Sequence, residues 1–353
     1  MKKEIGLLIA AALAVAITGC SAVHAGAQVR SSTVQVQEAM FGTATTAGGP
    51  TISVDRIAGG DRYATSVAVS KAEFPTTAPV VYIASGINYP DALAAGPAAA
   101  KSGGPLLLTA PDIVPGDVIA EVQRLHPSSV LVVGGPFPIE ESVLTQLQAA
   151  VPGATVSRAA GDDRFATSRV VVSGAFTTAD TVYLASGNTF PDALTAGGAA
   201  GSKDAPILLV DGNAPSVDSA TASLLSSLKA KNVKVVGGTD AMSTGIVSSL
   251  TQEGYTVTRL AGADRYGTAL AVNADAYAHA TTALLATGFG FPDALSATTL
   301  AGSTSSPLYL APYDCVPQGV LADFTRLGVT TVTLVGGPAM LSESAESLTP
   351  CTW

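Results

Sequence analysis

The sequence predicts an α/β protein made of three related units, each with a parallel β-sheet covered by helices. The first observation is the motif Arg-x-Ala-Gly-x-Asp-Arg followed by an aromatic residue, which occurs three times, at 56–63, 158–165 and 259–266. The second is the spacing of 101 or 102 residues between copies, which is the size of a small domain. The third is the alternation of short apolar strands with helical segments, which is typical of parallel sheets buried on both faces.

Local signals define the elements of the first repeat. Residues 51–57 are predicted to form a strand, and Asp61 to cap the helix that follows. Pro90 and Asp91 suit a first helical turn, because proline has the right φ and a carboxylate complements the helix dipole. The remaining elements are predicted as strands at 80–84, 105–109 and 130–133 and as helices at about 118–125 and 140–150.

The second and third repeats retrace this order. Their Pro-Asp pairs end at Asp192 and Asp293, each 101 residues after the preceding copy. No Arg-x-Ala-Gly strand follows the third repeat, but one such strand precedes the first repeat at Thr51. The number of strands therefore still suffices for three equal units. Because units of about 100 residues are small for independent cores, we expect them to pack as a closed, pseudo-threefold assembly within one chain.

Composition argues against several classes of function. The chain has 353 residues, of which 13% are charged, and a formal charge of −9. Since nucleic acid binding needs clustered cations, we expect none here. No G-x-G-x-x-G or Walker loop appears, so no nucleotide cofactor is expected. The three cysteines and three histidines lack ligand spacing, so no metal site is expected either.

The N-terminus predicts export. Residues 1–19 are predicted to be a signal peptide, because two lysines precede an apolar run from 5 to 17. The sequence Ile-Thr-Gly-Cys ending at Cys20 resembles a lipobox, which would make the chain a lipoprotein anchored in the membrane at the cell envelope. The alternative is ordinary cleavage after Ala25. Residues 20–50, rich in Ala, Ser, Thr and Gly, are expected to form a flexible tether.

Two cysteines remain if Cys20 carries lipid. In an exported protein, Cys315 and Cys351 can form a disulfide, which would tie the C-terminal tail to a loop of the third repeat. The alternative is two unrelated thiols.

Four motifs recur in the repeats and together resemble the type 2 cell wall-binding repeat. They are Arg-x-Ala-Gly-x-Asp-Arg-aromatic, Ala-Ser-Gly before Phe/Tyr-Pro-Asp-Ala-Leu, Pro-Ile/Leu-Leu-Leu, and Val-Val-Gly-Gly. The resemblance covers three repeats, at 51–153, 154–254 and 255–353. It implies Rossmann-like or flavodoxin-like units around a pseudo-threefold axis, and non-covalent binding to anionic polymers of the Gram-positive wall. The third repeat departs from the pattern at 286–288 and 307–310, so we expect its site to be altered.

The repeated arginines and aspartates have two interpretations. Arginine guanidinium groups can bind phosphate or carboxylate groups of a polymer through paired hydrogen bonds. Alternatively, each closing arginine pairs with an aspartate of a Pro-Asp motif, within its repeat or across a repeat junction. The candidates are Arg56, Arg62, Asp91, Arg158, Arg164, Asp192, Arg259, Arg265 and Asp293.

A second set of candidates marks a ligand crevice. In α/β sheets, ligands bind at the carboxyl ends of strands, where helix N-termini attract anions. The alternative for the Ser-Gly and Thr-Gly positions is an ordinary turn. The Pro-Leu-Leu segments are included because the resemblance implies that their first residues lie near the bound polymer. These candidates are Ser85, Asn88, Pro105, Ser186, Asn188, Pro206, Thr287 and Pro307.

Taken together, the sequence predicts a non-catalytic, extracellular lipoprotein that binds cell-wall polymers through three sites, because linked weak sites gain avidity on a repeating polymer. A scaffold or adhesin without wall affinity is the alternative. A wall-modifying hydrolase ranks third, since no nucleophile elbow or His-centred triad is present. Because the protein is acidic, its binding to an anionic polymer would need local positive pockets or bridging divalent cations.

Overall fold

The computed structural model describes residues 30–35 and 51–352, so the predicted signal peptide, Cys20 and most of the predicted tether lie outside the described residues. The strands are β1 Arg30–Gln35, β2 Thr51–Ile57, β3 Val80–Ser85, β4 Leu106–Thr109, β5 Ser129–Val133, β6 Thr155–Ala159, β7 Thr181–Ser186, β8 Ile207–Val210, β9 Asn232–Val236, β10 Thr256–Leu260, β11 Thr282–Thr287, β12 Leu308–Ala311 and β13 Thr331–Val335.

The helices alternate with these strands along the chain. They are α1 Arg62–Glu73, α2 Ala95–Ser102 (preceded by a 3-10 turn, Pro90–Ala94), α3 Gly116–Leu125, α4 Glu141–Ala150, α5 Arg164–Ala175, α6 Pro191–Ser202, α7 Ser219–Ser227, α8 Thr244–Gln252, α9 Arg265–Ala276, α10 Pro292–Thr304, α11 Gln318–Leu327 and α12 Glu343–Glu346. In the part of the chain that the structure describes, no helix is both long and apolar enough to cross a bilayer.

Three parallel sheets of four strands form the body, in the orders β4-β3-β5-β6, β8-β7-β9-β10 and β12-β11-β13-β2. Each sheet is completed by the first strand of the next repeat, and the third sheet is completed by β2 of the first repeat. This cyclic strand exchange closes the ring. The predicted α/β class and pseudo-threefold packing are confirmed.

The helices α2, α6 and α10 pack against one another at the centre, where small side chains allow close approach. A Cβ added at Gly201 would lie 3.0 Å from Gly302 Cα, and one at Gly96 would lie 2.0 Å from Thr298 Oγ1. Glycine is therefore required at these contacts, and the alanine-rich sequence of the three helices follows from their position.

Two features lie outside the threefold pattern. β1, inside the stretch expected to be a flexible tether, pairs antiparallel with β2 and so differs from the expectation of coil for residues 30–35. It covers an edge of β2 whose backbone groups would otherwise be unpaired. A disulfide joins Cys315 to Cys351, the pair considered from the sequence, and holds the C-terminal segment against the loop after β12.

Candidate functional site

The repeated motif begins each repeat with a helix cap. Asp61 Oδ1 accepts hydrogen bonds from the backbone N–H groups of Tyr63 and Ala64, at 2.9 and 2.8 Å. Asp163 and Asp264 cap α5 and α9 in the same way. These carboxylates satisfy N–H groups that have no partner within the helix, which explains why aspartate stands at this place in all three motifs.

The first arginine of each motif ties its strand to the Gly-Gly turn of the neighbouring strand. The three Nη1 groups donate to the first glycine carbonyls of these turns: Arg56 to Gly336 at 2.7 Å, Arg158 to Gly134 at 2.6 Å, and Arg259 to Gly237 at 2.7 Å. These arginines therefore hold the exchanged strands in place.

The second arginine of each motif reaches the turn that follows the central strand of its own repeat. Arg62 donates to the Gly86 carbonyl at 2.5 Å, Arg164 to that of Gly187 at 2.8 Å, and Arg265 to that of Gly288. Its position beside this turn places the guanidinium at the carboxyl end of the sheet, where ligands bind in α/β folds.

The Pro-Asp aspartates meet these arginines across the junctions between repeats. Burial raises the pKa of Asp91, while a hydrogen bond from Thr167 and the charge of Arg164, both of the second repeat, act to lower it. Burial likewise raises the pKa of Asp192, opposed by Thr268 and Arg265 of the third repeat. The charge of each arginine thus acts on the aspartate of the preceding repeat, but no ion pair within 4.0 Å joins them among the described residues.

The third junction closes the ring in the same way. Burial raises the pKa of Asp293 to about 6, and Thr65 and Arg62 of the first repeat oppose that shift. At every junction the arginine donates to a glycine carbonyl, and its charge acts to lower the pKa of the aspartate.

Glycine at the Gly-Gly turns makes room for these aspartates. Gly134, Gly237 and Gly336 have φ between 115° and 120°, which side chains rarely adopt. A Cβ at each would lie 3.0, 2.7 and 2.6 Å, respectively, from the Oδ2 atom of the aspartate in the same repeat. The Val-Val-Gly-Gly motif is thus one wall of the junction, and the Asp-Arg motif of the next repeat is the other.

A cleft of about 540 Å³ opens at the junction between repeats two and three. This volume lies within the range of small-molecule sites. The residues that line it include Asp192, Asp264, Arg265, Thr268, Gly238, Asp240, Asn188, Phe190 and Tyr89. Carboxylates, a guanidinium, a hydroxyl and aromatic rings therefore face one space, which suits a ligand with both polar groups and apolar faces.

The aromatic residues before the Pro-Asp motifs are a part of the site that the sequence analysis missed. Tyr89, Phe190 and Phe291 meet on the pseudo-threefold axis, with ring centroids 5.4, 5.6 and 6.2 Å apart. The signal was present in the sequence, since an aromatic residue precedes Pro-Asp in every repeat. Two of these contacts are edge-to-face and one is tilted. They stabilise the axis, and Tyr89 and Phe190 also line the cleft between repeats two and three.

The turn residues predicted as crevice candidates shape the backbone. Ser85 Oγ accepts from the N–H groups of Ile87 and Asn88, at 3.2 and 3.1 Å. Ser186 and Thr287 accept equivalent bonds two residues on. These contacts are those of ordinary turns. Asn188 lines the cleft and donates to Asp211, whereas Asn88 lies one position later in its repeat.

The three predicted prolines do not reach the clefts. Pro105, Pro206 and Pro307 are buried at the starts of β4, β8 and β12, and their carbonyls accept from the neighbouring strands. They lie at the amino ends of these strands, whereas the clefts lie at the carboxyl ends. The expectation that they mark the same crevice is corrected: proline suits a strand's first residue because no N–H is needed there.

The described residues contain no group of three or more His, Cys, Asp or Glu side chains placed to hold a metal ion. The described junction cleft carries more carboxylates than guanidinium groups. In the cleft between repeats two and three, Asp192, Asp240 and Asp264 stand against Arg265.

Comparisons with known proteins agree with this architecture. A family model described as "Cell wall binding domain 2 (CWB2)" matches residues 56–144, 158–247 and 259–346. The chain is 28% identical over 297 residues to the "N-acetylmuramoyl-L-alanine amidase LytC" of Bacillus subtilis (strain 168), covering 84% of this chain and 58% of that protein. It is 24% identical over 296 residues to the "Amidase enhancer" of the same strain, covering 83% and 39%.

Two solved structures have the same fold. Cwp6 from Clostridium difficile superposes with a TM-score of 0.78 at 26% identity, covering 89% of this chain and 50% of that one. Cwp8 from Clostridium difficile superposes with a TM-score of 0.76 at 27% identity, covering 84% and 51%. The chain thus spans between 39% and 58% of the length of these relatives.

Proposed function

Because the chain belongs to the cell wall binding domain 2 family, we propose that it is a non-catalytic cell-surface protein that binds cell-wall polymers through its three junction clefts. One observation carries the proposal: the same group of aspartate, threonine and arginine is assembled at all three junctions. Three like sites in one rigid body suit a repeating polymer, because linked sites raise avidity.

The domain arrangement and the anchor are part of the proposal. We assign residues 1–19 to a signal peptide, 20–50 to a tether that includes β1, and 51–153, 154–254 and 255–353 to the three repeats. Lipid on Cys20 would hold the protein at the membrane, so that the clefts reach the wall from the outer surface. Replacing Cys20 with serine is expected to release the protein into the medium, whereas continued membrane retention would remove the anchor from the proposal.

Retention on purified cell walls tests the function. The full chain should sediment with walls of the producing bacterium and should lose retention once the secondary polymers have been stripped. Retention that survives stripping would move the target to peptidoglycan, and absence of retention on untreated walls would leave the scaffold or adhesin as the better interpretation. Release of wall fragments by the purified chain would instead support the hydrolase.

A further inference from the structure

The three junctions share their inner residues but differ at two positions, which line the cleft between repeats two and three. In the first repeat these positions hold Ile87 and Phe137, which are 56% and 99% exposed. Asn188 and Asp240 occupy the same positions in the second repeat and line its cleft. The third repeat has Phe289, 68% exposed, and Ala339. The junction between repeats one and two, where we place the equivalent cleft, therefore has an apolar rim where the next cleft has a polar one.

The side chain of Phe137 is exposed to solvent and is not part of the packed core. It lies between Pro136 and Pro138, which follow the Gly-Gly turn. The Asp91 side chain packs against Gly134 of that turn. Proline fixes its own φ and restricts the residue before it, so the backbone of Phe137 has little conformational freedom to lose on binding. Exposed aromatic side chains in a polar surround are typical of binding sites, where they act as anchors.

The charges of this cleft exclude an anionic group as its main ligand. Asp91 and Asp163 lie close enough for the second to raise the pKa of the first, and Asp162 stands beside them in the motif. Against these three carboxylates stands Arg164, whose Nη1 already donates to the Gly187 carbonyl. A phosphate would meet net repulsion, whereas a hydroxyl can donate to a carboxylate without any charge opposing it.

We infer that this cleft binds the apolar C–H face of a neutral pyranose ring on Phe137 and Ile87, while the Asp91 carboxyl hydrogen-bonds a ring hydroxyl. The face of an aromatic ring carries partial negative charge, which attracts C–H groups. The inference rests on the proposed function and narrows its ligand to an uncharged sugar of the wall polymer.

Substitutions between equivalent positions supply the test. Phe137→Asp copies the second repeat and Phe137→Ala copies the third, so both are compatible with the fold. Each is expected to weaken binding of the full chain to purified walls about tenfold, a typical effect of losing an aromatic anchor, with an unchanged melting temperature. The control, Val170→Ala at an exposed apolar residue of α5 outside the cleft lining, should bind like the wild type.

Competition identifies the ligand chemistry. Neutral monosaccharides released from the same walls by acid hydrolysis should displace the wild type, and inorganic phosphate should not. Wild-type affinity in both Phe137 variants, or displacement by phosphate but not by the neutral sugars, would overturn the inference while leaving wall binding in place. A wild type that is not retained on walls at all would instead remove the proposed function, and the inference with it.

Discussion

At the scale of single residues, the junction aspartates have both a structural and a recognition role. Asp91, Asp192 and Asp293 each lie against a Gly-Gly turn of their own repeat and face the threonine and arginine of the next one. Burial raises the pKa of all three carboxyls, so they are more easily protonated than surface aspartates. A carboxyl held in this way can exchange hydrogen bonds with a ligand hydroxyl without rearrangement of the protein.

Asp293 makes the stability of the protein dependent on pH. Its pKa rises from 3.8 to about 6 on folding, so its stabilising contribution is full below about pH 4 and is lost as the pH rises through 6. We expect Asp293→Asn to become more stable relative to the wild type over this interval, by about 3 kcal/mol at pH 7. Denaturant unfolding at a series of pH values measures the difference.

The exposed aspartate Asp314 of the same repeat provides the control. Asp314→Asn should unfold like the wild type over this interval, since the side chain is exposed and loses no described contact. A difference between Asp293→Asn and the wild type that stays constant from pH 4 to pH 7 would show that the Asp293 carboxyl does not titrate in this window.

At the scale of elements, β2 is the strand that closes the ring. It leads the first repeat yet pairs with β13 of the third, so its contacts are not supported by chain continuity. Among the first arginines of the motifs, Arg56 makes the most hydrogen bonds among the described contacts. It is 4% exposed and donates to the carbonyls of Gly336 and Leu341 and to the carboxylate of Glu346, 2.9 Å away. Arg259 bonds only to two carbonyls among the described contacts.

Arg56→Ala is therefore expected to cost more stability than Arg259→Ala. Removing Arg56 leaves the partly buried Glu346 carboxylate unpaired, with a loss of about 3 kcal/mol or more. Arg259 donates to two neutral carbonyls and pairs with no carboxylate among the described contacts, so its loss should cost about half as much. Equilibrium unfolding of both variants makes the comparison. Equal losses would show that the Glu346 ion pair does not contribute to ring closure.

The disulfide acts on the same closing region. It joins residues 36 apart and holds the C-terminal segment near α12, which carries Glu346. Its removal in Cys315→Ser is expected to lower the free energy of unfolding by about 3–4 kcal/mol, from the loop entropy released in the unfolded chain. A reducing agent should lower the melting temperature of the wild type and leave that of Cys315→Ser unchanged; an effect of reduction on the variant would point to another cause.

The sequence predicted these elements well because each carries its own local signals: apolar strands, an aspartate cap, Pro-Asp helix starts. It could not predict which sheet β2 joins, since a strand's apolar pattern does not identify its neighbour. β1 was expected as coil because its residues are polar and lie in a Gly- and Thr-rich stretch. For the site, the pairing of Asp91 with Arg164 was left open within or across repeats, and only tertiary packing selects the junction.

At the scale of the whole molecule, the ring places three clefts on one face around the aromatic residues Tyr89, Phe190 and Phe291. The central helices pack through glycines that permit no larger side chain, so the clefts keep fixed distances from one another. A rigid arrangement lets one polymer, or neighbouring chains of a wall, occupy several clefts without a further loss of conformational entropy.

Binding to walls should therefore depend on the number of intact clefts more steeply than binding to a short soluble fragment of the polymer. We expect Asp91→Asn and Asp192→Asn each to weaken wall binding moderately, and the double variant to lose about 100-fold or more, because linked sites multiply their affinities. The rate of dissociation from immobilised walls measures multivalent binding, and equilibrium binding of a single-site fragment measures the affinity of one cleft.

Asn keeps the shape of the side chain and removes only the carboxylate, and unfolding measurements on the same variants show whether the fold is retained. For the short fragment, the number of molecules bound by the double variant should fall by no more than the two altered clefts account for. If one substitution abolished wall binding and the other had no effect, a single cleft would carry the whole affinity. The pseudo-threefold ring would then serve to build that one site, with the other two junctions acting only as structural joints.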